Sequence, residues 1–329
     1  MEAYVHDAVL DMHHARDELL AALDGVAPDQ WERRIPYGHR TLHELLAHLA
    51  GADQAWALAA QGLLKGESEP TKPPLTPEEA KAARVRTIAR GRSRPVAHLR
   101  DEMDRRRQLL LGLYDLLEPR HLALALRSYG DEHNSARERI WLGYHDRLHA
   151  ADVRRALRMD WHPPKLEFLP QIVPAVDALS PDPALYVIYS VDPTRWETPS
   201  VVPGWSNRNL LAHVATGDWV FQSHLRRIID TGEVAAWADI DEGNAQRIEE
   251  RKFTTVNALI DEYLSMRHAT LLLLTRLTPR HLELQMPPWW LPEPGGQRTV
   301  AACVLAFQRH ERSHRDHLRP AMKWSTSLR

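Results

Sequence analysis

Six histidines in this chain are spaced as metal ligands. His145 and His149 stand four residues apart in the segment HDRLH, and His310 and His314 repeat that spacing in HERSH. On an α-helix, residues four apart project from one side, one turn apart, so their imidazoles can converge on one point. A third histidine, His48 in one case and His213 in the other, closes matching LLAH segments at Leu45–His48 and Leu210–His213. Two imidazoles from one helix and one from a facing helix make a set of three neutral nitrogen donors. Such a set suits zinc, nickel, iron or copper better than magnesium or calcium, and it leaves positions open for water or substrate. A single pair of this spacing is more often two core histidines with satisfied hydrogen bonds. Recurrence of all three positions amid changed surroundings shifts the weight to a metal.

Acidic residues accompany both sets. Asp146 and Glu311 each follow the first histidine of the pair, and Asp53 and Asp218 each lie five residues after the lone histidine. Asp146 and Glu311 are candidates for a catalytic base. Because neighbouring helical residues point about 100° apart, a solvated acid is the simpler expectation for them. Asp53 and Asp218 read either as groups that orient a ligand or as caps for local backbone. The run from His310 to His314 also fits H-E-x-x-H, the zinc-protease helix. Only 15 residues follow His314, and Pro320 stands where the longer protease pattern needs its last histidine, so the sequence weighs against the protease reading.

The two sets belong to a duplication. Trp31-Glu32, Leu45–His48 and Asp53 match Trp196-Glu197, Leu210–His213 and Asp218 at a constant offset of 165 residues, and the paired histidines return to the same offset. Between them, VAHLRDEM and PRHL match VNALIDEY and PRHL at an offset of 160. Helices keep register while loops such as PPWWLPEPGG, from Pro287, absorb the difference. Residues 1–158 form the first copy and 159–329 the second, with a proline-rich seam at about 159–183 where long helices are interrupted.

Few strand signals occur, and apolar residues recur at helical spacing near 7–24, 41–63, 96–118 and 137–158, with counterparts in the second copy. Each copy therefore reads as four main helices. Thr41-Leu-His-Glu44 has the capping-box pattern and Ser206 occupies the matching cap position, so the helices bearing His48 and His213 start there. A further start is expected at Thr76-Pro77-Glu78-Glu79. Trp31, Trp56, Trp196, Trp205 and Trp219 read as core anchors, and Cys303 as a small buried hydrophobe. His13, His14, His43 and His317 lack counterparts and are left out of the site.

Bulk composition excludes several roles. With 42 basic and 44 acidic residues intermixed over 329 positions, there is no basic field for nucleic acid. No apolar run approaches the roughly 20 residues that cross a bilayer. The N-terminus lacks the basic start and apolar stretch of a signal peptide, and the lone cysteine suits a reducing compartment, so a cytoplasmic location is expected.

The segment Pro203-Gly204-Trp205-Ser206-Asn207-Arg208-Asn209-Leu210-Leu211-Ala212-His213, followed by His310 and His314, resembles the DinB/YfiT-like superfamily, which includes the N-terminal domain of mycothiol-dependent maleylpyruvate isomerase. The first copy shows a weaker form, with Tyr37-Gly38-His39-Arg40-Thr41 at the start. The resemblance spans nearly the whole chain. It implies an all-α fold of two up-down-down-up four-helix bundles, forming a pseudo-dimer within one chain that is itself a monomer or homodimer. It implies one divalent transition metal per copy, held by His48, His145 and His149, then by His213, His310 and His314; zinc or nickel leads, with iron or manganese as alternatives. Isomerase-like members carry Glu where His145 and His310 stand, so the all-histidine branch is favoured. The implied activity on a small-molecule substrate is S-transfer from a low-molecular-weight thiol such as bacillithiol or mycothiol, or a related metal-dependent hydrolysis. A non-catalytic metal-binding or stress-related small-molecule-binding role is the alternative.

Overall fold

A computed structural model describes residues 3–38, 40–66, 91–128, 131–234, 240–286 and 298–326, with scattered positions between 82 and 89. The chain divides after Pro163 into two compact units.

Four long helices build the first unit: α1 (Ala3–Asp24), α2 (Leu42–Leu64), α3 (Val96–Tyr114) and α4 (Gly143–Arg158). The start of α2 is fixed as its sequence dictates. Thr41 Oγ1 accepts from the Glu44 amide at 3.2 Å, and the Glu44 carboxylate accepts from the Thr41 amide at 2.8 Å. Contacts along the helices give their directions. His43 donates to the Arg94 carbonyl, Arg106 to that of Ala50, and Arg107 reaches Asp53, so α2 and α3 run parallel. Tyr4 bonds the Arg137 carbonyl, Arg147 pairs with Asp11, and Arg154 reaches the Glu18 carbonyl, so α1 and α4 also run parallel. Asp24 at the end of α1 pairs with Arg100 near the start of α3, while Arg16 and Arg107, nearer the middle of each, share Asp53, so α1 and α3 run antiparallel and the order is up-down-down-up. Leu19, Leu23, Leu45, Leu46, Leu49, Leu99, Met103 and Val153 fill the core between the four helices.

Two features depart from the periodicity. A two-stranded antiparallel hairpin, β1 (Ala125–Ser128) and β2 (Asp131–Ser135), precedes the fourth helix. The helical pattern near 137–158 is broken, since a single turn at Ala136–Arg139 ends before α4 begins at Gly143. Gly143 sits against the Asp11 carboxylate, which would have to shift to admit a side chain there. The expected helix start at Thr76 lies outside the described residues, as does the PPWWLPEPGG loop.

In the second unit the first helix is in two pieces, α5 (Val173–Ala178) and α6 (Asp182–Ser190), separated by Leu179-Ser180-Pro181. Pro181 and Pro183 explain the break, because each ring removes an amide donor and crowds the preceding turn. The longer helices that follow are α7 (Asn207–Thr231), α8 (Ile240–Glu250), α9 (Val256–Leu274) and α10 (Val300–Leu318). Ser206 Oγ caps α7 by accepting from the Asn209 amide. Arg208 bonds carbonyls just before α9, Gln222 bonds Met266, and Arg276 pairs with Asp230, so α7 and α9 repeat the parallel pairing. Phe221, Leu225, Ile228, Leu274, Val304 and Phe307 form this core, with the rings of Phe221 and Phe307 stacked at 4.5 Å. Cys303 is buried among them, and burial pushes its thiol up to about 11.

A buried ion-pair network crosses each bundle. In the first unit every helix supplies one member: Arg16 from α1, Asp53 from α2, Arg107 from α3 and Asp146 from α4. Arg16 reaches Asp53 at 2.8 Å and Asp146 at 3.1 Å, and Arg107 reaches the same two carboxylates at 2.8 and 3.0 Å. Two positive and two negative charges balance. In the second unit Arg267 is, among the described residues, the one cation between Asp218 and Glu311, and the broken first helix offers the Leu179 carbonyl instead of an arginine. Neutral donors make up the difference, Thr270 to Asp218 at 2.9 Å and Tyr263 to Glu311 at 3.0 Å. Removing the cation from a buried pair typically costs about 3–5 kcal/mol, because the partner charge is stranded. Arg267→Leu strands two carboxylates, whereas Arg107→Leu leaves Arg16 to serve both of its own. Denaturant unfolding is therefore expected to show Arg267→Leu as the more destabilising change, and equal losses would contradict this reading of the networks.

Candidate metal centres

The structure brings each set of three histidines together. In the first unit the Nε2 atoms of His48 and His149 both lie 3.2 Å from that of His145. In the second, His213 and His314 lie 3.2 and 3.0 Å from His310. Within each set the ligand atoms all fall within 4.8 Å of one another.

Imidazole chemistry shows why these groups fit a cation. A ring nitrogen has one in-plane site, occupied by either a proton or a lone pair. His149 Nδ1 lies 2.9 Å from Asp152 Oδ2, and since a carboxylate only accepts, Nδ1 carries the proton and Nε2 presents its lone pair. His145 Nε2 touches two neighbours but can share one proton with one of them. A cation at the meeting point satisfies all three lone pairs. Nitrogen–metal bonds of about 2.0–2.1 Å at a tetrahedral angle place donor atoms roughly 3.3 Å apart, close to the observed spacing.

Burial favours the neutral form of His145, His213, His310 and His314. It carries His145 well below its ordinary value, helped by the neighbouring imidazoles of His149 and His48. Burial, with His310 nearby, takes His213 down to about 3, and burial with the same neighbour takes His314 to about 2. His310 is lowered by desolvation, although its residue surface is exposed. These ligands need lose no proton before binding.

The acids lie elsewhere than a solvated face. Asp146 is fully buried and Glu311 nearly so, and Asp53 and Asp218 are 1% exposed. All four hold arginines, so the expected solvation of Asp146 and Glu311 gives way to the ion-pair networks beneath the histidines. Burial raises the Asp146 carboxyl against the pull of Arg107 and Arg16. The nearest approach of Asp146 to a ligand is 4.0 Å, to His145 Nδ1.

Sequence reasoning missed Asp152, which orients His149 and is itself held by Arg155 at 2.8 Å. Its i+3 spacing from His149 was the available signal. The matching position in the second unit is His317, whose ring packs 5.4 Å from that of His314. Among the tryptophans, Trp196 is buried, Trp31 packs against the core, and Trp219 is 49% exposed, contrary to the expected anchoring role. Trp56 and Trp205 belong to the sites, with their rings 4.7 Å from His145 and 4.9 Å from His213.

Each unit is thus a four-helix bundle with three imidazoles from its second and fourth helices, a donor set that can hold a metal ion. The chain belongs to the DinB superfamily, whose family model matches residues 11–153 and again 179–318. No curated protein and no solved structure gives a significant match. No described helix is long and apolar enough to cross a membrane.

Carboxylate support of a ligand histidine raises its basicity and typically changes metal affinity by about 10–100-fold. In a His213→Ala/His310→Ala background, Asp152→Asn is expected to weaken zinc binding to the first unit by roughly that factor, as read by chelator competition; unchanged affinity would remove Asp152 from the site. The metal-free protein should also lose stability as pH falls. His213 and His224 are both buried, with values near 3 and 4, each lowered chiefly by burial. Below about 6.5 the unfolded chain takes up protons that the folded chain refuses, so stability fully present above that pH is lost toward the folded values. Each contributes at most about 2 kcal/mol of loss between pH 7 and pH 5. His224→Gln should flatten this dependence in urea titrations, and a slope identical to that of the parent would refute the assignment.

Proposed function

We propose that this chain is a metal-dependent enzyme acting on a small molecule, with one three-histidine divalent site in each unit. S-transfer from a low-molecular-weight thiol of the bacillithiol or mycothiol kind is the first reading, and hydrolysis at the same site is the second. Solvent access to the ligand sets is the observation that carries the proposal. His310 is exposed, and His48 and His314 are partly so. A purely structural ion is normally closed off by its protein ligands, whereas a catalytic one keeps a reachable position.

His48, His145 and His149 would hold the ion in the first unit, and His213, His310 and His314 in the second. A bound divalent cation with an open position lowers the pKa of water or thiol and stabilises developing negative charge. The chain contributes the rest. Asp152 fixes the tautomer of His149, the buried networks hold the helices that carry the ligands, and Trp56 and Trp205 cover one side of His145 and His213. In S-transfer the thiol loses its proton, its sulfur bonds to an electrophilic carbon, and the leaving group departs with the electron pair of the broken bond.

Elemental analysis of metal-replete protein is expected to give two transition-metal ions per chain, falling to one in His48→Ala or His213→Ala. Conjugation assays with bacillithiol, mycothiol and glutathione against a model electrophile should show turnover that is lost on metal removal. Absence of bound metal would overturn the whole reading. Two bound ions without turnover, by conjugation or by hydrolysis of activated esters and amides, would overturn the catalytic part.

A further inference from the structure

The two histidine sets share their three ligands but not what stands behind them. His149 gives its Nδ1 proton to one oxygen of Asp152 at 2.9 Å, and Arg155, 2% exposed, holds the other oxygen at 2.8 Å. At the 165-residue offset, His149, Asp152 and Arg155 become His314, His317 and Pro320. The fourth helix of the second unit also stops sooner. α10 ends at Leu318 and passes into a tight turn at Arg319–Ala321, whereas α4 runs on to Arg158. Proline at 320 suits that stop, since it cannot donate to a continuing helix.

His317 does not replace the missing carboxylate. Its ring lies 5.4 Å from that of His314, and the Nδ1 atoms of both are buried without a hydrogen-bond partner among the described residues. Asp316, the acid closest in sequence, pairs with Arg319 instead. The two ligands therefore rest in different tautomers. His149 keeps its proton on Nδ1, away from the point where the imidazoles meet. His314 has no acceptor at Nδ1 but has one at Nε2, 3.0 Å away on His310, so its proton belongs on the side that a metal would occupy. Binding at His314 must move that proton to Nδ1 and leave a buried N–H unpaired, which costs free energy. Exposure runs the same way, since His145 and His149 are buried while His310 is exposed and His314 partly so.

We propose that the two centres are unequal, the first unit holding a resident ion and the second an exchangeable one, with Asp152 against His317 as the difference that sets them apart. This rests on the reading that both histidine sets take a divalent ion. Asp152 and His317 are positioning residues, acting through the last ligand of each set. A carboxylate behind a ligand imidazole is typically worth about 10–100-fold in metal affinity, enough to separate two sites with the same first three donors.

The test is chelator titration of the full chain loaded with two zinc ions. Release in two steps is expected, separated by about tenfold or more in chelator concentration. The earlier step should be missing in His213→Ala and the later step missing in His48→Ala. His317→Asp, which restores the carboxylate at the same place on the helix, should move the earlier step toward the later by about tenfold. Release of both ions in one step, loss of the later step in His213→Ala, or a His317→Asp profile identical to that of the parent would each overturn the proposal. The unaltered chain alone decides the first of these, so the test does not depend on how a variant folds. A chain that takes up no zinc would overturn the metal reading itself, and two ions leaving together would overturn only the inequality.

Discussion

Buried arginine–carboxylate pairing is the constraint on which the rest of each bundle depends. A charge inside a helical core is tolerated only where partners meet it, so the side chains that meet it also fix how the helices align. In the first unit Arg16, Asp53, Arg107 and Asp146 tie all four helices at one level. The histidines rise from two of those same helices, with Asp146 next to His145 and Asp53 five residues beyond His48. A slip of one residue in either helix would turn these carboxylates about 100° away from the arginines. The network sets the register in which three imidazoles can meet.

Comparison of the units shows what that constraint requires. The arginine of the third helix and the carboxylates of the second and fourth are present in both. The arginine of the first helix is dispensable, because a backbone carbonyl, a threonine and a tyrosine complete the second network. Met103 and Leu110 hold the places of Tyr263 and Thr270 in the first unit, where Arg16 makes those extra donors unnecessary. The same electrostatic problem thus has two solutions within one chain, one by a second cation and one by neutral hydrogen bonds.

Much of this was legible in the sequence. The duplication, the helix starts at Thr41 and Ser206 and the convergence of six histidines all follow from spacing and cap chemistry, which act over a few residues. The roles of Asp146 and Glu311 were not legible, because a neighbour 100° away on a helix can face either solvent or a third helix, and only the packing decides. Arg107 and Arg267 carry no local sign of burial, since arginine is ordinarily a surface residue. Trp56 and Trp205 look like core aromatics until the imidazoles beside them are placed. Asp152 was overlooked for a different reason: its partner in the second copy is His317, and a search for repeated residues passes over positions where the copies diverge.

The break at Leu179-Ser180-Pro181 bears on how the second unit moves. Helices gain cooperativity with length once a costly first turn has formed, and pieces of six and nine residues gain little of it. The two short helices are held chiefly by what they lie against, and the break places the Leu179 carbonyl on Arg267. Opening of this segment would take away one acceptor and admit water to the guanidinium while the other helices stayed packed. The second bundle is therefore expected to open locally at this segment more readily than its twin does along the continuous first helix. Amide exchange along residues 173–190 would run ahead of exchange along residues 3–24, and the duplicated halves would differ in their breathing more than in their architecture.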